Sequence, residues 1–505
     1  MKKLLILLAF ISTTNFSTIN AQEVNGSIYF ENSDLTVVKV HGTHQERGYA
    51  VGYLLAEKIK DMYENYLMPA FGSYLSTAKL ILSTNNHIAI DSAYIYEAMS
   101  MMQGITDAGV SMTGVDYVDL LVANCFLDLE NLSAKKLGLS NGCSSLMTWG
   151  DATLGTPEEG KTIISRHMDW SDDAAIIRNQ VIVVHFPTEA DEQPWLLIGF
   201  AGQISVLSGL NNSGLTIMQH MLADNYASGQ LLKGYEPIWF TLRKAIEKKD
   251  FNNDDVNDVQ DVKDAVLSNL NGYADSYIVT ALAPATSGHD TLIAAVAELT
   301  PDAPYFSLRN NKYPDSIPGD NLYAANWAIS RNNAMHFCMR YDAVRNNMGD
   351  GTGIGAVENW RIMKEYSSSC GFGGTGNIQF MQYVPEDKIL RLALHNSEGT
   401  QACENDSLVF NTNDLFTLST NVSEKQNEKA LYIHPNPATG KVFVYISNQY
   451  INSSRITIHS IKGEKFNEIP VTSPKTDINN LKPGIYTISL IHKGDLIAGE
   501  KIIVK

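Results

Sequence analysis

The residues in this chain best able to do chemistry are a cysteine at the head of one strand and an arginine and aspartate on the next. Cys143 follows Gly142 and opens CSSLMTWG; Arg166 and Asp169 lie in SRHMDW, and the turn-rich stretch Asp151 to Gly160 separates the two runs. Both runs read as strands and the stretch between them as a turn, so together they predict an antiparallel hairpin. A turn centred on Thr156 pairs Cys143 with Asp169. The thiol then has a guanidinium and a carboxylate within reach. A cation favours the thiolate, which is the nucleophilic form. Arg166 stands three positions before Asp169, so strict alternation puts the pair on opposite faces, and a bulge or strand end is needed to bring both inward.

Plainer roles exist for these residues. The five cysteines, at 125, 143, 338, 370 and 403, are compatible with two disulfides and one working thiol, and four cysteines permit three pairings. Without Cys143, Arg166 and Asp169 would read as a surface ion pair. His220, in TIMQHML, fits a core position as well as a donor's, and His167 reads as structural. The stretch Asp250 to Asp264 spaces acidic residues as a metal loop does, but it lacks the loop glycine and the terminal glutamate. It reads as a solvated helix start capped by Asn257 or Asp258, and no metal ligand set is assigned.

GCSS followed by RHMDW resembles the penicillin acyltransferase-type and choloylglycine hydrolase group of N-terminal nucleophile (Ntn) cysteine hydrolases. Other landmarks fall in that group's order: HGTHQERG from His41, GLNNSGL from Gly209, then Ala325-Asn326-Trp327 and Arg340-Tyr341. The resemblance implies cleavage of the Gly142–Cys143 bond, which leaves Cys143 with a thiol and a free α-amine. An unperturbed α-amine titrates near pH ~8, close enough to neutrality to take the thiol proton. It also implies that Asp169 orients this amine, that Arg166 favours the thiolate, that Asn326 serves the oxyanion and that Arg340 follows it on a helix. The family's second oxyanion donor is usually an asparagine just after the GLNNSGL-type segment. This chain has Gln219-His220-Met221 there, so His220 or Gln219 would substitute. The implied activity is hydrolysis of a linear, non-peptide amide, or transfer of its acyl group, through a thioester on Cys143 and without a cofactor. The alternatives are lipid amidase chemistry of the ceramidase or phospholipase B-like kind, and a catalytically silent ligand-binding protein.

Positioning these groups requires a large core. Residues 22–142 are read as a helical pro-segment, with apolar residues recurring at three and four from Glu46 to Met68 and from Asp91 to Ala108. From Cys143 to residue 400 the chain alternates strand runs (VIVVHF, WLLIGF, GLTIMQHM, YIVTALA, TLIAAVAEL, NIQFMQYV, KILRLAL) with helical blocks at 237–248, 257–270, 332–345 and 357–366. Two strand blocks enclosing helices predict an α+β fold with stacked sheets, compatible with the αββα sandwich that the resemblance implies.

The two ends of the sequence read separately. Residues 1–21 form a signal peptide by their basic start, apolar run and Ala21. No later run is long enough to span a membrane. The polar stretch 401–430 reads as a linker, and 431–505 as a small β-sandwich. Its HPNPATGKV, LKPGIY and terminal KIIVK resemble the type IX secretion C-terminal sorting domain. That resemblance implies a partner in the type IX machinery, passage through the periplasm of a Gram-negative bacterium, and a secreted or surface location. The net charge of −17 argues against nucleic acid and anionic membranes as partners.

Overall fold

VIVVHF and WLLIGF are apolar at every position but His185, so the strands they form need cover on both faces. In the computed structural model they lie in the first of two stacked sheets. The structure describes all residues except 1–21, 85–86, 133–141, 223–228, 286–291, 302–304, 311–315, 331–337, 375, 419–430, 435, 447–449, 461–464 and 494. The expected signal peptide lies outside the described residues.

The first sheet has nine strands, in the order β1 (Gly26–Glu31), β2 (Thr36–Gly42), β5 (Gln180–Pro187), β6 (Trp195–Phe200), β7 (Ser208–Asn211), β8 (Thr216–Met221), β9 (Tyr277–Leu282), β10 (Ala294–Leu299) and β11 (Phe306–Asn310). The second has six: β12 (Asn321–Ala324), β3 (Cys143–Gly150), β4 (Gly160–Asp169), β13 (Asn377–Val384), β14 (Ile389–Leu394) and β15 (Ser407–Asn411). Val37, Ile182, Val184, Leu196 and Ile198 face Met147, Ile164, Met381 and Tyr383 across the gap between the sheets. Their sequence neighbours Val38, Val181, Val183 and Leu197 face outward, under helices α1 (His44–Leu54), α2 (Ala56–Met62), α3 (Met68–Ser83), α4 (Ser92–Asp107), α5 (Tyr117–Asn124) and α6 (Phe126–Leu132). After the short α7 (Ala174–Arg178), α8 (Ile238–Glu247) and α9 (Val259–Ser268) complete that layer, and Asp258 caps α9 through its side chain. On the far side α10 (Met339–Asn347) and α11 (Ala356–Tyr366) cover Leu146, Tyr323 and Phe380. The layers are therefore α, β, β, α, as expected.

Three boundaries differ from the sequence reading. The segment 22–142 is not purely helical, because it contributes β1 and β2, and β2 runs parallel to β5 over seven residue pairs from Thr36↔Val181 to Gly42↔Pro187. The stretch 401–430 is not all linker: β15 pairs with β14, and Cys403 forms a disulfide with Cys370. The helix expected over 332–345 is described only from Met339, since 331–337 lie outside the described residues.

HGTHQERG has a structural use. At Gly48 and Gly52 of α1 and Gly104 of α4 the two helices approach so closely that a Cβ on Gly52 would stand 2.1 Å from the Met101 carbonyl oxygen. Beside this seam lies a buried ionic network. The His44 ring meets Glu97 at 2.8 Å and Glu192 at 3.0 Å, Arg47 bonds Glu189 and Glu192, and Arg243 bonds Glu97 and Glu247. Burial lowers the His44 pKa, but the two carboxylates outweigh it and raise the ring to about 9. With both ring nitrogens facing carboxylates and two guanidiniums alongside, His44, Glu189 and Glu192 are paired as ions rather than left open for a metal.

Residues 431–504 hold seven strands in sheets of three and four, closing on Leu431, Val442, Val444, Ile456, Ile458, Ile488 and Leu490. Among the described residues no helix is long and apolar enough to cross a membrane.

Candidate active site

Strand parity decides what each side chain meets. On β4, Arg166 points toward the nine-stranded sheet, where Nη1 donates to Ser208 Oγ at 2.7 Å and Nη2 to the Gln219 carbonyl at 3.0 Å. His167 and Asp169 point the other way, to Asn377. No bulge in β4 brings Arg166 and Asp169 to one face, contrary to expectation. The register shift lies instead in β13, between Asn377 and Gln379, and sets Asn377 opposite Asp169. The hairpin register also differs by one residue from a turn centred on Thr156. Cys143 pairs with Met168, and the Asp169 N–H donates to the Gly142 carbonyl at 2.7 Å. The cause is a turn containing the short helix Asp151–Thr153 and a shift between Thr148 and Gly150.

Cys143 serves both faces because it begins its strand. Its Sγ lies 3.5 Å from Arg166 Nη2. Its backbone N–H donates to Asn326 Oδ1 at 2.7 Å, and its carbonyl accepts from Arg340 Nη1 at 3.2 Å. Arg340 Nη2 also donates to Asn326 Oδ1 at 2.6 Å, while Nη1 stands 3.9 Å from Asp169 Oδ2. Asn326 Nδ2 donates to the Met221 carbonyl at 2.7 Å. Because two donors converge on Oδ1, the Asn326 amide has only one orientation. The structure thus brings Cys143, Arg166, Asp169, Asn326 and Arg340 together. Burial pushes the thiol pKa up, and Arg166 and then Arg340 oppose it. Burial likewise raises the Asp169 carboxyl, against a hydrogen bond from Asn377 and the Arg340 charge.

His220 is placed differently from a pocket donor. Its Nε2 lies 2.9 Å from Ser145 Oγ and 3.4 Å from Thr280 Oγ1, between the sheets. Burial, then the Arg166 and Arg340 charges, hold its pKa far below the usual imidazole value. Gln219, one residue earlier and on the opposite face of β8, lines a half-open cavity together with Cys143. Gln219 Oε1 accepts from Trp239 Nε1 at 2.9 Å, and Nε2 is buried with no hydrogen-bond partner among the described residues. An indole N–H can only donate, so Nε2 must be the atom left facing away from Trp239. Trp239 itself gave no signal in the sequence, being one more apolar residue of a helix.

Apart from Asn124 and Gln203 the rest of the cavity is mostly apolar: Ile59, Met62, Tyr63, Leu120, Phe126 and Leu127 come from before Cys143, and Met168, Trp170, Ile176, Leu207 and Trp239 from after it. None of its lining residues carries a charge. The Trp170 indole N–H donates to Tyr66 Oη at 2.8 Å, joining the two halves of the wall.

Residues 432–505 match the family described as "Secretion system C-terminal sorting domain". The C-terminal unit is therefore the expected type IX sorting domain, and the protein is destined for the cell surface or the extracellular space. Protein dcd1B of Dictyostelium discoideum is 20% identical over 250 residues, covering 45% of this chain and 46% of that protein. The chain thus spans less than half the length of this curated relative. Two solved structures are also similar. A Caenorhabditis elegans N-acylethanolamine-hydrolyzing acid amidase ortholog is 12% identical, with 53% of this chain and all of that one covered at a TM-score of 0.33. A mutant conjugated bile acid hydrolase from Clostridium perfringens is 13% identical, with 53% and 96% covered at a TM-score of 0.32. These likenesses are distant, and the chemistry that follows is argued from the site itself.

Proposed function

We propose that the protein is an exported cysteine amidohydrolase that frees Cys143 by cutting its own Gly142–Cys143 bond and then cleaves linear amides with an apolar acyl group. The observation that carries this reading is a thiol facing Arg166 at 3.5 Å in an uncharged apolar cavity, with the main-chain nitrogen of the same residue held by Asn326. In the cut protein the α-amine takes the thiol proton, and the thiolate attacks the amide carbon. The resulting oxyanion needs fixed donors. Gln219 Nε2 and the second Asn326 Nδ2 hydrogen are the candidates. Collapse forms a thioester on Cys143 and expels the amine, which takes the proton from the α-ammonium. Water then attacks the thioester and releases the acid; an amine in place of water would give acyl transfer. The uncharged cavity favours a hydrocarbon or aromatic acyl chain, which supports the lipid amidase variant of the reading.

The test is intact mass and N-terminal sequencing of the purified protein beside Cys143→Ala, followed by N-acyl amide turnover. The wild type should yield a fragment beginning at Cys143 and hydrolyse apolar acyl amides, while the variant stays whole and inactive. A whole and inactive wild type that still binds such amides would leave the silent ligand-binding reading.

A further inference from the structure

We infer that the Cys370–Cys403 disulfide is a brace that positions the Asp169 carboxylate, acting through Ser369, Asn377 and Gln401. The inference rests on the proposed amidohydrolase for its functional meaning, but its geometry is independent of that. Asp169 Oδ1 accepts from Asn377 Nδ2 at 2.7 Å and from Ser369 Oγ at 3.0 Å. Each donor belongs to one side of the disulfide. Ser369 precedes Cys370 directly, and Asn377 is gripped by the segment that ends in Cys403: the Cys403 N–H donates to Asn377 Oδ1 at 2.8 Å, and the Ala402 N–H to the Asn377 carbonyl at 2.9 Å. Gln401 joins the two sides, its Oε1 accepting from the Asn377 N–H at 3.2 Å and lying 3.3 Å from Ser369 Oγ, whose single hydrogen goes to Asp169.

The direction of these bonds matters. Because a backbone N–H can only donate, Cys403 fixes the Asn377 oxygen toward itself and so turns the amide hydrogens toward Asp169. The two segments are 33 residues apart in sequence, and the described chain between them leaves the site along β13 and returns along β14. Without the disulfide their approach would depend on hydrogen bonds alone. Cys370 is half-buried, which leaves it open to a thiol reductant, whereas Cys403 is buried.

Asp169 stands beside Arg340 of α10 and His167 of its own strand, and it also feels the charge of Arg166 on the other face of β4 and the thiol of Cys143 on β3. The brace adds uncharged donors that favour the ionised carboxylate against its burial. Losing them should make Asp169 take up a proton at higher pH.

The experiment compares wild type, Cys370→Ser/Cys403→Ser and Ser369→Ala, and also wild type treated with dithiothreitol. Each disulfide reduced yields two cysteine thiols and one cyclic disulfide of the reagent. Two readouts are taken against pH: kcat for an apolar N-acyl amide, and the rate at which iodoacetamide alkylates Cys143. We expect kcat to fall at least tenfold in the double variant and in the reduced wild type, with KM changed less than twofold. The acid limb of the kcat profile should move to higher pH and that of alkylation to lower pH, because a neutral Asp169 no longer raises the thiol pKa, and reoxidation should restore both. Ser369→Ala should move the limbs the same way by a smaller amount. Unchanged acid limbs in the reduced wild type and in Ser369→Ala would overturn the brace, even if the double variant does not fold. A wild type that hydrolyses no amide would refute the proposed activity, while the alkylation profile would still test the brace.

Discussion

Replacing Gln219 with leucine separates its catalytic role from its structural one. Among the described residues Gln219 Nε2 is a buried donor without a partner, and leaving such a group unmet costs roughly 1–3 kcal/mol. Leucine removes that cost but takes away the acceptor of the Trp239 indole N–H, which is then left unmet at a similar cost. The two effects are of equal size and opposite sign, so the melting temperature should change little. Catalysis has no such compensation. Losing one oxyanion donor typically lowers kcat by about 10²–10³, or roughly 2.7–4 kcal/mol, with little effect on KM because the interaction belongs to the transition state. The assay is steady-state turnover of an apolar N-acyl amide, with iodoacetamide alkylation of Cys143 as the control, since alkylation builds no oxyanion. A kcat within threefold of wild type, at unchanged alkylation rate, would refute Gln219 as an oxyanion donor. Trp239→Phe should give a smaller loss, about tenfold, because the amide keeps its donor but not its orientation.

Gly142→Ala should slow self-cleavage at least tenfold, because the added Cβ would stand 2.9 Å from Arg340 Nη1 and Nη2 and push the guanidinium from the Cys143 carbonyl; the uncut fraction over time measures it. For His44 the folded pKa, about 9, lies above the unfolded value of about 6.5. Its stabilisation is therefore full below about pH 6.5 and is lost as pH rises through about 9. Melting temperatures of wild type and His44→Gln should consequently differ most near pH 6 and converge toward pH 9.5, and a constant difference would remove the charged-imidazole assignment.

The sequence made the hairpin legible because both strands carry local signals: turn residues between them and a polar pattern in SRHMDW that no buried strand tolerates without use. Its register was off by one because the helical turn at Asp151–Thr153 and the shift beside Gly150 have no distinct signature. Period two could not decide between Gln219 and His220, since adjacent residues always face opposite sides and only the packing of the sheets says which side holds the cavity. β1 and β15 escaped notice for a related reason. GSIYFE is a half-exposed edge strand, and SLVFN is short and sits in polar surroundings, so neither shows a clean alternation, and each becomes a strand by pairing with its neighbour in sequence, β2 and β14. Asn377 and Ser369 gave no signal, because neither type at that position distinguishes a carboxylate holder from an ordinary polar residue.

The bonds that hold Gly142 and Cys143 bear on when the chain can be cut. The scissile carbonyl is held by the Asp169 N–H, its neighbouring amide by Asn326, and the adjoining carbonyl by Arg340, so the reactive geometry draws on chain 27 to 197 residues further along. These are long-range contacts, slow to form and late in assembly. A nascent or misfolded chain has a Gly142–Cys143 bond of ordinary inertness, so under the proposed self-cleavage the bond acts as a timer that runs out only after the sheets have stacked. The ratio of cut to whole protein then reads directly as the folded yield of a preparation.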